Sequence, residues 1–277
     1  MEKSHLDSVI ESALKEDMPD GDITSENIIL PDSISSAVLQ AKEDGVLAGI
    51  DVAEKVFRKI DPSVIFEKNF EDGQAIKAGD RLAILKGNSI SLLKGERTAL
   101  NFLQRMSGIA TTTHRFVQAV QGTGTKVLDT RKTTPGLRTF EKYAVKAGGG
   151  ENHRQSLSDM VMIKDNHLRI VGSISDAVKK ARKRIKQNIQ IEVETTTLDE
   201  VKEALESGAD IIMLDNMNFS EIKKAVEWVK GKVPLEVSGN VSLETARKIA
   251  ELGVDYISVG SLTHSFRSLD ISMEFLI

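Results

Sequence analysis

The chain has 277 residues, with 37 Lys plus Arg against 41 Asp plus Glu, a formal charge of −4, 40 % hydrophobic residues and no cysteine. This balance describes a folded globular protein. It excludes a disordered chain, a disulfide scaffold, a thiolate metal site, a cysteine nucleophile and a general nucleic-acid binder, which needs a strongly basic face. No run approaches the roughly eighteen apolar residues of a membrane span, and the acidic, amphipathic start does not read as a secretory signal, so no membrane partner is expected and the cytoplasm is the expected location.

Leu6, Val9, Ile10 and Leu14 predict a helix over 6–16, followed by the turn-rich segment PDGDITSENIIL. Residues 36–49 read as a hairpin turning near Asp44-Gly45. Val52, Val56, Phe57 and Ile60 suggest a helix, and residues 64–86 short strands broken by Asp72-Gly73 and Ala78-Gly79-Asp80. A further helix is predicted from Leu92 to Met106, with Leu93, Leu100, Leu103 and Gln104 on its buried face. Residues 1–113 therefore read as an α+β sandwich domain with an antiparallel sheet.

Residues 114–277 read as an α/β barrel domain. Six strands are expected, at Val127–Lys132, Met160–Lys164, Ile189–Thr195, Ile211–Asp215, Leu235–Ser238 and Tyr256–Gly260. Helical stretches lie between them, with Ser220 and Ser242 as caps and Gly208 and Gly253 at ends. Side chains alternate across a strand, so in Ile191-Glu192-Val193-Glu194 the aliphatic residues suit the helix side and the glutamates point inward. The last inward positions of the six strands are then Arg131, Lys164, Glu194, Asp215, Ser238 and Gly260. Active sites of such barrels sit at the C-terminal strand ends. Six or at most seven units are too few to close an eight-fold barrel, so the open side must be covered by the N-terminal domain or a second subunit.

The densest functional stretch is 129–169, DTRKTTPGLRTFEKYAVKAGGGENHRQSLSDMVMIKDNHLR. Residues 126–169 carry nine Lys or Arg and five Asp or Glu, a local charge of +4, which leaves −8 for the rest. Arg131, Lys132, Arg154 and Lys164 in one mouth call for a substrate with several negative charges. Lys142 and Lys146 suit a solvated helix face, and His167 in KDNHL reads as a loop residue. Glu194 and Asp215 end neighbouring strands and would suit Mg²⁺ beside a polyphosphate. Ser238-Gly239-Asn240 and Gly260-Ser261 offer backbone N–H groups to a phosphate. Neither a dinucleotide fingerprint, a P-loop nor a nucleophile elbow is present.

Taken together, GDITS at 21–25, ERTALNFLQRMSGIAT at 96–111, DTRKTTPGLR at 129–138, KAGGGENHR at 146–154, MIKDNH at 162–167, IEVET at 191–195, MLDN at 213–216, EVSGN at 236–240 and SVGSLTHS at 258–265 closely resemble the quinolinate phosphoribosyltransferases. Three small departures are Ala147 where Cys is frequent, Glu151 where an aromatic or His is common, and Asn240 in place of a common Gly. The resemblance implies an N-terminal sandwich and an incomplete barrel in a homodimer or a higher assembly, with Mg²⁺ but no organic cofactor. It implies transfer of phosphoribosyl from 5-phosphoribosyl-1-pyrophosphate to quinolinate, with loss of CO₂, to give nicotinate mononucleotide and pyrophosphate. Arg105 from the partner subunit, Arg131, His153, Arg154 and Lys164 would hold quinolinate. Lys132, Glu194 and Asp215 would serve the ribose, diphosphate and metal, with Thr130 contributing through backbone or hydroxyl. Ser238, Gly239, Asn240, Val259, Gly260, Ser261 and His264 would surround the 5-phosphate. The competing readings are a sister transferase using another acceptor such as nicotinate, a Schiff-base aldolase with Lys164 as nucleophile, and a non-catalytic phosphometabolite binder.

Overall fold

Apolar periodicity and turn residues divide the chain into short elements. The computed structural model describes residues 3–276. In chain order these are α1 (Lys3–Asp17), α2 (Ser25–Ile28), β1 (Ile34–Ala41), β2 (Gly45–Val46), α3 (Ile50–Ile60), β3 (Ile65–Lys68), β4 (Ala75–Ile76), β5 (Arg81–Asn88), α4 (Ser89–Ala119), β6 (Lys126–Leu128), α5 (Arg138–Ala147) and β7 (Val161–Ile163). There follow α6 (Asp165–Val171), α7 (Ile174–Arg182), β8 (Ile191–Thr195), α8 (Leu198–Glu206), β9 (Ile211–Asp215), α9 (Phe219–Val229), β10 (Leu235–Ser238), α10 (Leu243–Ala250), β11 (Tyr256–Ser258), α11 (Ser261–His264) and β12 (Ile271–Leu276). Two compact units result: one holds the chain up to His114, Thr133–Gly149 and the segment from Leu262, the other Arg115–Lys132 and Gly150–Ser261. Among the described residues no helix is long and apolar enough to cross a membrane.

The first unit is built on an antiparallel sheet in the order β12-β1-β5-β3. β1 buries Ala37, Val38 and Leu39 in succession. β1 is a central strand, paired along both edges with β12 and β5, with Ala37 opposite Phe275 and Leu85. This corrects the expected hairpin over 36–49. β2 is two residues long, pairs with β4 instead of β1, and follows an Asp44 carboxylate that accepts the Ala78 N–H at 2.9 Å.

α4 is longer than expected and runs to Ala119. Asn88 caps it, its side-chain oxygen accepting from the N–H groups of Ile90 and Ser91. The β-branched run Thr111–Thr113 looks like a helix end. Thr112 and Thr113 instead donate to the carbonyls of Gly108 and Ile109 one turn back, at 2.9 and 2.8 Å, so their hydroxyls are satisfied within the helix. Gly108 allows close packing: a Cβ there would lie 2.2 Å from the Arg267 carbonyl oxygen. Leu92, Leu100, Leu103 and Met106 form the buried stripe, while Leu93 and Gln104 are only half-buried. Lys142, expected on a solvated face, is 2 % exposed on α5, whereas Lys146 is exposed.

The second unit is a six-stranded parallel sheet in the order β6-β11-β10-β9-β8-β7. Consecutive strands are neighbours throughout β7 to β11, and β6 closes against β11. Among the described residues no ladder joins β6 to β7, so the barrel stays open there; β6 makes a lone parallel bridge from Leu128 to Glu151, in the segment between α5 and β7. Three expected strands are shorter at their C-terminal ends. Asp129 puts its carboxylate into the loop before β7, Lys164 is the extended cap of α6, and Val259 follows the last residue of β11 while its N–H still donates to the Leu128 carbonyl at 2.9 Å. α9 is capped by Asn218, which accepts from the N–H groups of Ser220 and Glu221, so Ser220 is the second residue of the helix and not its cap. Ser242 caps α10 as expected.

Candidate active site

Alternation along β7 to β11 brings one set of side chains to one cavity. Met162 and Lys164, Glu194, Met213 and Asp215, Glu236 and Ser238, and Ser258 fall on one face in the pairing register, with Glu194 beside Met213, Met213 beside Glu236 and Asp215 beside Ser238, and all line a cavity of about 710 Å³. The loop after β6 adds Thr130, Arg131 and Lys132, and the loop before β7 adds His153 and Arg154. Eleven of the residues singled out in the sequence share this space: Thr130, Arg131, Lys132, His153, Arg154, Lys164, Glu194, Asp215, Ser238, Gly239 and Asn240. Val259, Gly260 and Ser261 follow β11 in the same unit but are not among its lining residues. Arg105 and His264 lie in the other unit; His264 Nδ1 is 2.7 Å from the Ser265 hydroxyl.

Asp129, fully buried, shapes the 152–154 loop. Its carboxylate accepts the His153 N–H at 2.9 Å and the Asn152 side-chain N–H at 2.5 Å. The Arg154 guanidinium is half-buried and donates to the Met160 carbonyl at 3.2 Å. Burial, followed by the nearby Arg131, lowers its pKa.

Below the rim lies a layer that sequence reasoning did not single out as site residues. Glu192 and Glu236 sit two positions before Glu194 and Ser238 on the same inward face, so the period-2 pattern carried the signal. They are 0 % and 1 % exposed. His153 Nε2 lies 3.0 Å from Glu192 and 3.4 Å from Glu236, and its side chain is 7 % exposed. Burial pushes the His153 pKa down, but the hydrogen bonds to Glu192 and Glu236 outweigh it and raise it to about 9. Burial raises the Glu192 carboxyl, opposed by the His153 contact. His153 Nδ1 faces the Arg154 N–H at 2.7 Å, a contact that favours the neutral ring with its proton on Nε2. Two carboxylates this close in a buried setting outweigh one amide contact. In either ring form Nε2 bears a proton. The ligand atoms of the trio lie within 4.8 Å of one another, and its contacts pair the ring with both carboxylates.

At the rim Lys164 is ion-paired with Glu194 through Glu194 Oε2. Its backbone N–H donates to His167 Nδ1 at 2.9 Å, which places His167 in the first turn of α6 and corrects its reading as a loop residue. Asp215 Oδ2 accepts from Asn216 Nδ2 at 2.8 Å. Asn216 and Asn240 both adopt left-handed backbone, with φ of 54° and 49°. Gly239 (φ 91°) makes room for this corner: a Cβ there would lie 2.1 Å from Asn216 Oδ1. Glu194 meets Lys164 through Oε2 and Asp215 meets Asn216 through Oδ2. The other oxygens, on adjacent strand ends in one cavity, fit a hard divalent cation such as Mg²⁺, which binds through one or two carboxylates and keeps waters.

Family models for quinolinate phosphoribosyl transferase match the chain almost end to end, the N-terminal domain over residues 22–107 and the C-terminal domain over 109–274. The chain is 44 % identical to the decarboxylating quinolinate phosphoribosyltransferase 2, mitochondrial, of Nicotiana glauca, covering 97 % of this chain and 82 % of that one. It is 42 % identical to the probable nicotinate-nucleotide pyrophosphorylase of Bacillus subtilis, over 99 % and 94 % of the two chains. The crystal structure of NadC from Streptococcus pyogenes superposes with a TM-score of 0.96 at 43 % identity, covering 100 % of this chain and 99 % of that one.

Proposed function

The chain belongs to the quinolinate phosphoribosyltransferase family, and from that premise we propose how its cavity performs the reaction. The reaction of the family is decarboxylating phosphoribosyl transfer in NAD biosynthesis, with quinolinate and 5-phosphoribosyl-1-pyrophosphate as substrates. The observation that carries the assignment of roles is the convergence of Arg131, Lys132, His153, Arg154 and Lys164 with the rim carboxylates Glu194 and Asp215 on one cavity of about 710 Å³. That volume falls in the range of about 300–1,000 Å³ usual for small-molecule sites.

Arg131, His153, Arg154 and Lys164 take the two carboxylates of quinolinate. The imidazolium of His153, held from below by Glu192 and Glu236, and the Arg154 guanidinium fix the ring so that its nitrogen faces C1 of the ribose. A new N–C1 bond forms as the C1–O bond to pyrophosphate breaks. Glu194 and Asp215 lie where positive charge develops at the ribose, and Lys132 where negative charge develops on the leaving group. Glu194 and Asp215 would be the residues to hold Mg²⁺, which would supply positive charge to neutralise the diphosphate. Ser238, Gly239 and Asn240 supply the left-handed corner for the 5-phosphate, with Val259, Gly260 and Ser261 on the next strand end. The bond from C2 to its carboxylate then breaks, CO₂ leaves, and the electron pair at C2, beside the positively charged ring nitrogen, takes a proton. Arg131 and Arg154 hold the substrate throughout.

Lys164 is engaged by Glu194 at the cavity rim and does not stand alone in an apolar pocket as a Schiff-base lysine would, which disfavours the aldolase reading. A homodimer in which Arg105 serves a partner copy, and a cytoplasmic location, belong to the same proposal; the cysteine-free chain suits a reducing compartment. The discriminating experiment offers purified protein quinolinate or nicotinate with phosphoribosyl pyrophosphate and Mg²⁺. Turnover with quinolinate alone supports the acceptor assignment, and equal turnover with nicotinate overturns it.

A further inference from the structure

The first unit contains a fully buried carboxylate whose two oxygens are both committed. Glu141, in the first turn of α5, is 0 % exposed. Its Oε1 accepts from Arg105 Nε at 3.1 Å and also from Arg105 Nη2, and its Oε2 accepts the Thr134 N–H at 3.1 Å. Arg105 Nη2 donates in addition to the Thr134 hydroxyl. The Phe266 ring lies against the guanidinium, 4.7 Å from its carbon to the ring centroid. One edge and one face of the Arg105 head are therefore fixed. None of these contacts uses Nη1, and the side chain stays 26 % exposed on a cavity of about 770 Å³.

Stability alone gives little reason for this arrangement. A buried ion pair is often no more stabilising than apolar residues of the same volume. What it does provide is a single conformation. Arginine has among the largest side-chain rotamer freedoms, and a head ordered before binding loses little more when a ligand arrives. A guanidinium offers five N–H donors in a rigid fork. With Nε and Nη2 taken, the direction in which the remaining end points is set by the protein.

We propose that Glu141 is a positioning residue that presents the Nη1 end of Arg105, preformed, to a carboxylate of the acceptor bound in a second copy of the chain. This rests on the acceptor reading given above. Thr134 completes the hold through its amide and hydroxyl, and Phe266 prevents the head from rotating out of the plane. Glu141 does not touch the substrate. It acts through Arg105, so its effect should vanish when Arg105 is absent.

The test is a double-mutant cycle on the full chain: wild type, Glu141→Gln, Arg105→Ala and the double variant. Quinolinate binding is measured by calorimetry and turnover with varied quinolinate and varied phosphoribosyl pyrophosphate. Glu141→Gln is expected to weaken quinolinate binding about tenfold, with kcat and the phosphoribosyl pyrophosphate KM within twofold of wild type. Added to Arg105→Ala, it is expected to change binding by less than twofold. An equal weakening in both backgrounds, or wild-type affinity in Glu141→Gln, overturns the proposal. Should Glu141→Gln fail to fold, Arg105→Lys keeps the charge but loses the two-point hold; a similar weakening supports the proposal and wild-type affinity overturns it. A wild-type protein that binds no quinolinate sinks the acceptor reading itself, and the positioning role with it.

Discussion

Replacing Glu236 by Gln removes one of the two carboxylates that face His153 while keeping the side chain's volume. In the wild type the His153 pKa is raised from 6.5 to about 9. Because the folded pKa lies above the unfolded one, this group contributes stability that is fully present below about pH 6.5 and is lost as pH rises through about 9. A shift of that size corresponds to about 3 kcal/mol at about 1.4 kcal/mol per pH unit, and the ring is too buried for solvent to screen most of it. With one carboxylate gone, roughly half of that contribution should go, and the His153 titration should move back toward 6.5. Two-dimensional NMR of the histidine rings between pH 5 and 10.5 reads the midpoint, and urea unfolding at pH 6.5 and 9.5 reads the linked stability. The reasoning is refuted if the wild-type His153 ring titrates near 6.5, or if Glu236→Gln leaves its midpoint unchanged.

Further outcomes follow from the same geometry. Arg154→Ala should raise the quinolinate KM about 30-fold or more, the equivalent of about 2–5 kcal/mol for a charged contact left unpaired; steady-state kinetics at saturating phosphoribosyl pyrophosphate measures it, and near-normal kinetics would sink the role. Glu194→Gln should raise the Mg²⁺ concentration for half-maximal rate about tenfold, read from a metal titration of the chelator-treated enzyme, whose turnover without added metal should be abolished. Gly239→Ala should raise the phosphoribosyl pyrophosphate KM about tenfold and lower the melting temperature. The added Cβ has no room beside Asn216 and the φ is left-handed, a conformation that costs about 1–3 kcal/mol for a side-chain residue.

The parallel half of the fold was the more legible part because its signals are local. β9 and β10 lie where strand-length apolar runs between turn residues put them, and the inward parity of Lys164, Glu194, Asp215 and Ser238 follows from alternation alone. The antiparallel half depends on pairing between distant segments. Nothing near Ala37 announces that Phe275 will lie beside it, so a local hairpin reads more naturally. α4 runs past the expected end at Met106, and the glycine at 108 is explained by close packing against the Arg267 carbonyl, a contact with a distant segment. In the site, the last inward residue of each strand marked the rim, whereas Glu192, although read as inward-pointing, and Glu236 lie one inward position deeper and were not assigned a role. Their role depends on His153 arriving from a loop, held by Asp129. Lys142 shows the converse: a lysine on an amphipathic helix reads as solvated, and burial reverses that.

The central claim is that one cavity both joins the ring nitrogen to ribose and releases the neighbouring carboxylate. Quantifying carboxyl-labelled CO₂, pyrophosphate and nicotinate mononucleotide in one reaction, with quinolinate, phosphoribosyl pyrophosphate and Mg²⁺, tests it most directly. The three products are expected in equal amounts from the wild type, with loss of all three together in Arg154→Ala at low quinolinate. Pyrophosphate released without matching CO₂ and mononucleotide would contradict it.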